Sequence, residues 1–435
     1  CGLVSFLRRT RHRFREYTGE SLMLKRLRVE GFKSLAEVEV EFPALTVLFG
    51  PNASGKSNLL DALLVLSRLA TERTLADAFS GTVRGYPAEC FRFPSGGLAA
   101  LYEKDRARLA FEADLERKGK ERLRYRVAVE IEPRAGSLSV ADEYLARMSR
   151  SWTSTGAAAL EVVGGEIHIR RKSKPARPRT EPLGLGHAQL SDARFSGLEY
   201  SWVERARQEL SAFRSYYLDP RVAMRKSVPP REVTDIGPLG EDLAPFLYRL
   251  RSWDNGRYFE AVKRTLKSVI PSVDSLDVEL DDKRGTLDIQ IVQDGVPFSS
   301  RLISEGTLRV LAICAIAVNP WPGALVAFEE PENGVHPRRL ELVANLLGSL
   351  AIKQRQQVIV TTHSPRFCQD ILALQREHPD KVALFVTRQD RGLTVCSQFQ
   401  ARGPLFEDQE VRAALTSPKE DGWFEGLVLR GIVDA

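Results

Sequence analysis

The chain has 435 residues, of which 28% are charged and 43% hydrophobic, with a formal net charge of +6; these are the proportions of an ordinary globular protein of two or three domain-sized units, with a basic excess that permits nucleic-acid contact without requiring it. No run of about 18 apolar residues occurs, so no transmembrane helix is expected. Cys1, Cys90, Cys314, Cys368 and Cys396 show no C-x-x-C pairing, which excludes a disulfide frame or zinc site and fits reduced thiols in a cytoplasmic protein.

The first 22 residues carry Arg8, Arg9, Arg11, Arg13 and Arg15 around no apolar centre, unlike a secretory signal. Because Met23 directly precedes the first clean strand, we expect residues 1–22 to be a disordered or artefactual extension, with a basic nucleic-acid arm as the other reading. Residues 24–30 and 35–42 alternate apolar and polar side chains, as half-buried strands do, around a turn at Gly31, Phe32, Lys33 and Ser34. With the apolar run 44–49 they are expected to form a sheet edge. That run leads into Gly50, Pro51, Asn52, Ala53, Ser54, Gly55, Lys56 and Ser57, and a helix pattern from Asn58 continues to about Leu69.

Strand, glycine-rich loop and helix in this order make a phosphate-binding loop, G-x-x-x-x-G-K-[ST]. Gly50 and Gly55 let the backbone turn so that successive N–H groups face phosphate oxygens, and the helix adds its N-terminal partial positive charge. Lys56 would reach the outer phosphates and the Ser57 hydroxyl a Mg²⁺ ion. The loop specifies a nucleotide without saying what it is for.

Between residues 98 and 169 the pattern becomes a meander, with strands expected at 108–115, 123–132, 138–144 and 166–170. Residues 170–179 follow, with six positive charges broken by prolines; such a run holds a phosphate backbone or is simply a solvated linker. Helical periodicity marks 201–213, 240–253 and 258–270, and no heptad run survives to make a long coiled coil. Strands are expected at 275–280 and 286–292, a buried core helix around 310–318, and two tail strands at 381–387 and 393–396 before one short helix. The candidate units are 1–22, 23–100, 101–198 as a β-rich insertion, 199–300 as a helical lobe, and 301–435.

Four further stretches fall in fixed order. Ser304, Glu305 and Gly306 open a helix; Ser304 is a natural N-cap and Gly306 exposes backbone N–H groups, so this start suits a second anion, although a capped core helix looks the same. The apolar strand 324–328 ends in Glu329 and Glu330, carboxylates that are costly there without a metal or partner. Glu329 would belong to a Mg²⁺ shell and Glu330 would orient or deprotonate an attacking water. Asn333, Gly334, Val335, His336 and Pro337 make a turn into the next helix. A second buried strand, 357–362, ends in His363, a position from which the imidazole would touch a γ-phosphate.

Taken together, residues 50–57, 304–309, 328–332 and 361–364 resemble the ABC-type ATPase heads of the RecF, SMC and overcoming-lysogenisation-defect proteins. They are most similar to bacterial AAA-family ATPases with an E-E-P-E-N-G-x-H-P segment. The opening 24–35 and Tyr217-Leu218-Asp219-Pro220 fit the same group, and the resemblance covers most of 23–370. It implies an α/β P-loop NTPase fold: a head with a mixed sheet, an antiparallel β-layer and a helical lobe. It also implies an ATP sandwich, in which each nucleotide lies on Lys56 and Ser57 of one copy and is capped by Ser304, Glu305 and Gly306 of the other. Glu330 would be the catalytic carboxylate, His363 the switch histidine, and 333–336 the loop crossing between copies. Glu329 stands where related heads often have Asp, and Gln189 is the candidate for a glutamine that reaches the metal.

More than half the chain separates Lys56 from Ser304, whereas transporter ATPases keep loop and signature closer and end the signature in Gly-Gly-Gln. Transport is therefore disfavoured, as is full SMC function without a coiled coil. Related heads that carry a TOPRIM nuclease place it after the switch histidine. Here Asp380, Asp390, Glu407, Asp408, Glu410, Glu420 and Asp421 are scattered, so any cutting is expected from a separate nuclease or toxin. Two functions remain: a homodimeric ATPase coupling its nucleotide state to DNA or an effector, as in DNA repair or phage defence, and a sensor or scaffold that holds ATP with little turnover.

Overall fold

A computed structural model describes residues 22–80, 84–117, 121–354, 356–400 and 423–429. The basic leader 1–21 and the acidic residues Glu407, Asp408, Glu410, Glu420 and Asp421 lie outside the described residues.

In chain order, β1 (Met23–Phe32) and β2 (Leu35–Glu41) make a hairpin, and β3 (Leu45–Phe49) leads through the glycine-rich loop into α1 (Lys56–Leu69). The meander comprises β4 (Ala107–Arg117), β5 (Glu121–Glu132), β6 (Ser137–Arg147), β7 (Leu160–Val163), β8 (Glu166–Ile169) and β9 (Arg179–Pro182). Then come α2 (Ser201–Ser211), β10 (Phe213–Tyr216), α3 (Leu243–Ser252) and α4 (Arg257–Val269). A small antiparallel sheet, β11 (Val273–Asp281), β12 (Thr286–Gln293) and β13 (Val296–Ser299), precedes α5 (Glu305–Ala317). The remainder alternates β14 (Leu325–Glu329), α6 (Leu340–Lys353), β15 (Gln357–Thr362) and α7 (Pro365–Glu377), then pairs β16 (Val382–Asp390) with β17 (Leu393–Gln398). Trp423–Leu429 forms α8.

The organising layer is a six-stranded sheet in the order β10-β14-β15-β3-β16-β17, parallel except at its last pair. Every residue of β3 and β15 is buried, because both faces of this sheet are covered; that is why these strands read as unbroken apolar runs rather than alternating ones. Leu45, Val47 and Phe49 enter one core with Leu308 of α5, Val343 of α6 and Phe367 of α7. Leu48 enters the other, with Leu59, Leu63 and Leu66 of α1 and the inner face of the antiparallel sheet. Each of these leucines contributes about 2 kcal/mol when fully buried.

The expected sheet edge does not form. β1 and β2 belong to the eight-stranded antiparallel sheet β2-β1-β4-β5-β6-β7-β8-β9, whereas β3 sits inside the parallel one. The strands of stretch 101–198 therefore share one sheet with the N-terminal hairpin. The layers are tied by Gln357 at the start of β15, whose side chain accepts from Leu24 N–H at 2.9 Å and donates to Leu24 C=O at 2.7 Å. Four-residue strands β7, β9, β10 and β13 have no counterpart in the sequence pattern, which runs the α2 helix through Phe213.

Parallel pairing places the C-terminal ends of β14, β15 and β3 side by side. Glu329 pairs with Thr361, and Thr362 with Phe49. The residues that follow these three strands therefore emerge on one rim, the place where open α/β sheets bind ligands.

Candidate functional site

The loop after β3 is shaped by its floor. Ala53 and Gly55 have φ of 64° and 98°, left-handed conformations that fold successive amides into one concavity. A Cβ on Gly50 would lie 2.2 Å from the Thr387 carbonyl, and one on Gly55 would lie 1.8 Å from Thr394 Oγ1. Neither position admits another residue. Hydroxyls lock the loop onto β16 and β17: Ser54 bonds Thr387 at 2.9 Å, Thr387 donates to Phe49 C=O at 3.0 Å, and Thr394 donates to Ser54 C=O at 3.1 Å. Ser34 bonds Thr394 at 2.7 Å and accepts from Asn58 Nδ2 at 2.7 Å. Motif spacing does not reveal Thr387, Thr394 or Ser34, since single hydroxyls in strands carry no pattern.

Lys56 is 5% exposed, and its Nζ donates to the carbonyls of Gly50 and Pro51, both at 2.7 Å. Burial lowers its pKa against the pull of Glu330, Glu329 and Glu332, so a buried cation faces three carboxylates across the rim. The Ser57 hydroxyl donates to the Glu329 carboxylate. Together they present two hard oxygen donors in contact, which is the set Mg²⁺ accepts alongside phosphate oxygens and water; these residues fit that ion. The Arg84 guanidinium lies 3.8 Å from Glu329 and 3.5 Å from Asp61, and Lys33 binds Asp61 at 2.6 Å and Arg84 C=O at 2.9 Å. Arg84 sits in a Gly- and Pro-rich connection and had no motif to announce it.

Glu330 follows β14 with φ of +48°, a conformation that costs a non-glycine residue about 1–3 kcal/mol. Its N–H bonds Thr361 C=O at 3.0 Å. Its carboxylate lies 3.3 Å from His363 Nδ1 and accepts from Asn333 Nδ2 at 2.5 Å. Glu332, 6% exposed, accepts from the Thr362 hydroxyl while its Oε2 has no partner; burial raises its pKa. Thr362 also accepts from Ser364 N–H at 3.0 Å, which fixes the turn that carries His363.

Ser304 caps α5, accepting from Thr307 N–H at 3.1 Å. Gly306 is required by contact, since a Cβ there would lie 2.2 Å from Gly334 C=O. Arg309, one turn on, donates to the carbonyls of Asn333 and Leu218, the latter at 2.9 Å. Arg221 pairs with Glu305 at 2.9 Å, and Arg225 donates to Pro220 C=O at 2.7 Å and Ile303 C=O at 2.6 Å. Lys56, Ser57, Glu329, Glu330 and His363 thus converge. Among the described residues no hydrogen bond or ion pair joins 304–306 to the phosphate loop.

Gln189 does not reach this cluster. It is fully buried in a short turn, where its N–H donates to Glu143 at 2.7 Å. Tyr125 and Leu190 N–H bond the same carboxylate at 3.0 and 2.9 Å. Its side-chain amide is buried without a hydrogen-bond partner, and no hydrogen bond among the described residues joins it to Ser57 or Glu329.

A family model described as "AAA domain, putative AbiEii toxin, Type IV TA system" matches residues 45–368. The DNA replication and repair protein RecF of Synechocystis sp. is 36% identical over 107 residues, 24% of this chain and 25% of that protein. The chromosome partition protein Smc of Methanocaldococcus jannaschii is 37% identical over 62 residues, 14% of this chain and 5% of that protein. The matched segments thus span a quarter or less of these curated relatives. Among solved structures, the SMC head bound to the C-terminal winged-helix domain of ScpA covers 87% of this chain and 98% of its own, at TM-score 0.49 and 14% identity. The SMC head of Thermotoga maritima covers 87% and 99%, at TM-score 0.39 and 16% identity. No helix among the described residues is long and apolar enough to cross a membrane.

Proposed function

This chain belongs to the AAA-domain family of that description and is an ABC-type ATPase head of the RecF and SMC class, and from this premise we propose that it binds and hydrolyses ATP between two copies of itself. The observation that carries the reading is the convergence of Lys56, the Ser57–Glu329 pair and the Glu330–His363 pair on one rim. Residues 50–58 would hold the phosphates, with Lys56 exchanging its loop carbonyls for phosphate oxygens. Ser57 and Glu329 would hold Mg²⁺, which supplies charge neutralisation on the phosphoryl group. Glu330 would accept the proton of the attacking water, and His363 would sense the outer phosphate. Arg84 would balance the charge of Glu329 and Asp61.

Ser304, Glu305 and Gly306 would cap the nucleotide of the second copy. This arm is supported by apolar residues exposed around the signature: Leu302 is 74%, Val222 70% and Tyr217 59% exposed. Exposed apolar surface of this kind favours an interface.

What the motion drives is proposed to be nucleic acid or a separate effector, in DNA repair or phage defence. Arg117, Arg122 and Arg147 line a cleft of about 250 Å³ with Trp202, and the Arg147 guanidinium lies 4.8 Å above the Trp202 ring. The basic run 170–179 is pinned alongside, Lys172 N–H bonding Glu199 C=O at 2.7 Å. Arg170 and Arg179 are paired with Glu161 and Glu181. Arg171, Lys172, Lys174 and Arg177 have no carboxylate partner among the described residues, which favours a phosphate-binding surface over a neutral linker. ATP turnover by the purified chain, with and without DNA, tests the whole: release of phosphate is expected, and ATP that stays bound but uncleaved under both conditions would instead assign a sensor or scaffold.

A further inference from the structure

The Glu330 carboxylate has two neighbours, and only one of them reaches outside the rim. Its Oε1 faces His363; its Oε2 accepts from Asn333 Nδ2 at 2.5 Å. Asn333 is itself fixed at both backbone groups: its N–H donates to Glu330 C=O at 3.1 Å and its carbonyl accepts from Arg309 Nη1. The other Arg309 nitrogen binds Leu218 C=O, and the guanidinium is buried enough for burial to lower its pKa. The next residue, Gly334, presses its carbonyl against Gly306 so closely that no side chain fits between them. One residue therefore bridges Glu330 and the helix that begins at Ser304.

Glu330 needs such a bridge. Its backbone is left-handed and its strand has ended, so regular pairing does not orient the side chain. An asparagine in a tight turn often serves only the turn itself. Here the side-chain amide is committed to the carboxylate, and the turn is held by the backbone groups and Arg309.

We propose that Asn333 is a positioning residue that aims Glu330 at the attacking water, and that Arg309 ties this aim to the signature helix. A displacement of Ser304 by the nucleotide of a second copy would then reset the carboxylate in the first copy's own site. The inference rests on the ATPase reading above, and it goes beyond it by giving residue 333 a role within its own subunit.

The test is steady-state ATPase kinetics with an independent binding measurement. Asn333→Ala is expected to lower kcat about 10–100-fold, the cost of misplacing a reacting group by about 1 Å, while Kd for ATP and Tm stay close to wild type. Arg309→Lys keeps a donor to the Asn333 carbonyl and should retain most turnover; Arg309→Met should lose it. In the Asn333→Ala background, Arg309→Met should cost little more in kcat, because residues acting through one contact are not additive. Wild-type kcat in Asn333→Ala overturns the positioning role, and so does a parallel fall in kcat, ATP affinity and Tm, which would assign a structural one. Fully additive losses overturn the Arg309 link alone. A wild-type chain that binds ATP without cleaving it removes the ATPase reading and this role with it, a result distinct from an active wild type with an active Asn333→Ala.

Discussion

Lys56 and Glu330 are assigned different roles and are separated along the chain. Lys56 is sunk in the loop with its Nζ on two carbonyls, so replacing it removes both the anion's partner and the loop's brace. Lys56→Ala should abolish ATP binding, read by titration with a fluorescent ATP analogue. Glu330→Gln keeps the shape and the Asn333 contact but removes the proposed proton acceptor. It should leave binding intact and slow hydrolysis about 10²–10⁴-fold; wild-type turnover in this variant would sink the assignment. The motif residues were legible because spacing and residue type alone define them. Arg84, Thr387 and Thr394 were not, since each acts through a contact made across sheets, and nothing in the local chain encodes the neighbour.

At the scale of elements, strands buried on both faces announced themselves, and of the four-residue strands only β8 did. β3, β14 and β15 are apolar runs because each face meets a core, and their boundaries followed from that. β10 has one sheet neighbour among the described residues, and its apolar residues Phe213 and Tyr216 stand three apart around Arg214 and Ser215 and enter opposite cores, a spacing that in a sequence is indistinguishable from a helix end. Gln189 lies beside a helix as a metal-reaching glutamine would, and here Glu143 of β6 holds its backbone N–H. That contact makes a pH-dependent clasp. Glu143 is wholly buried, and burial raises its pKa from 4.5 to about 7 despite three donors. The folded form thus retains a proton that the unfolded chain releases, so the stabilisation is complete below about pH 4.5 and is lost as pH rises to about 7. Urea unfolding at pH 5 and pH 8 should show this loss, and Glu143→Gln should flatten it; an unchanged difference in the variant would assign the dependence elsewhere.

For the whole molecule, the parallel sheet separates two cores and carries the candidate site at its rim, while the signature faces outward. If sites form between copies, Ser304→Arg and Glu330→Gln chains should each be inactive alone. Mixed, they should recover part of the turnover, because one of the two composite sites then combines an intact Glu330 with an intact Ser304. No recovery would argue for a site complete within one chain. On the antiparallel face, Arg117→Glu with Arg147→Glu should weaken DNA binding and lower its salt dependence by about one unit of slope for each phosphate no longer neutralised, with basal ATPase unchanged. These expectations concern opposite faces, so neither result decides the other.

The seating of the glycine-rich loop on Thr387 and Thr394 also sets an order of events at the ribosome. Ser54 bonds a residue 333 positions downstream and is itself bonded by one 340 positions downstream. At about 5–20 residues per second, a nascent chain would carry the loop for tens of seconds before its floor emerged. Until then the unfinished polypeptide has no rigid cradle and should not hold ATP. The proposed nucleotide binding would therefore begin only after the segment carrying Thr387 and Thr394 is made, long after the phosphate loop itself.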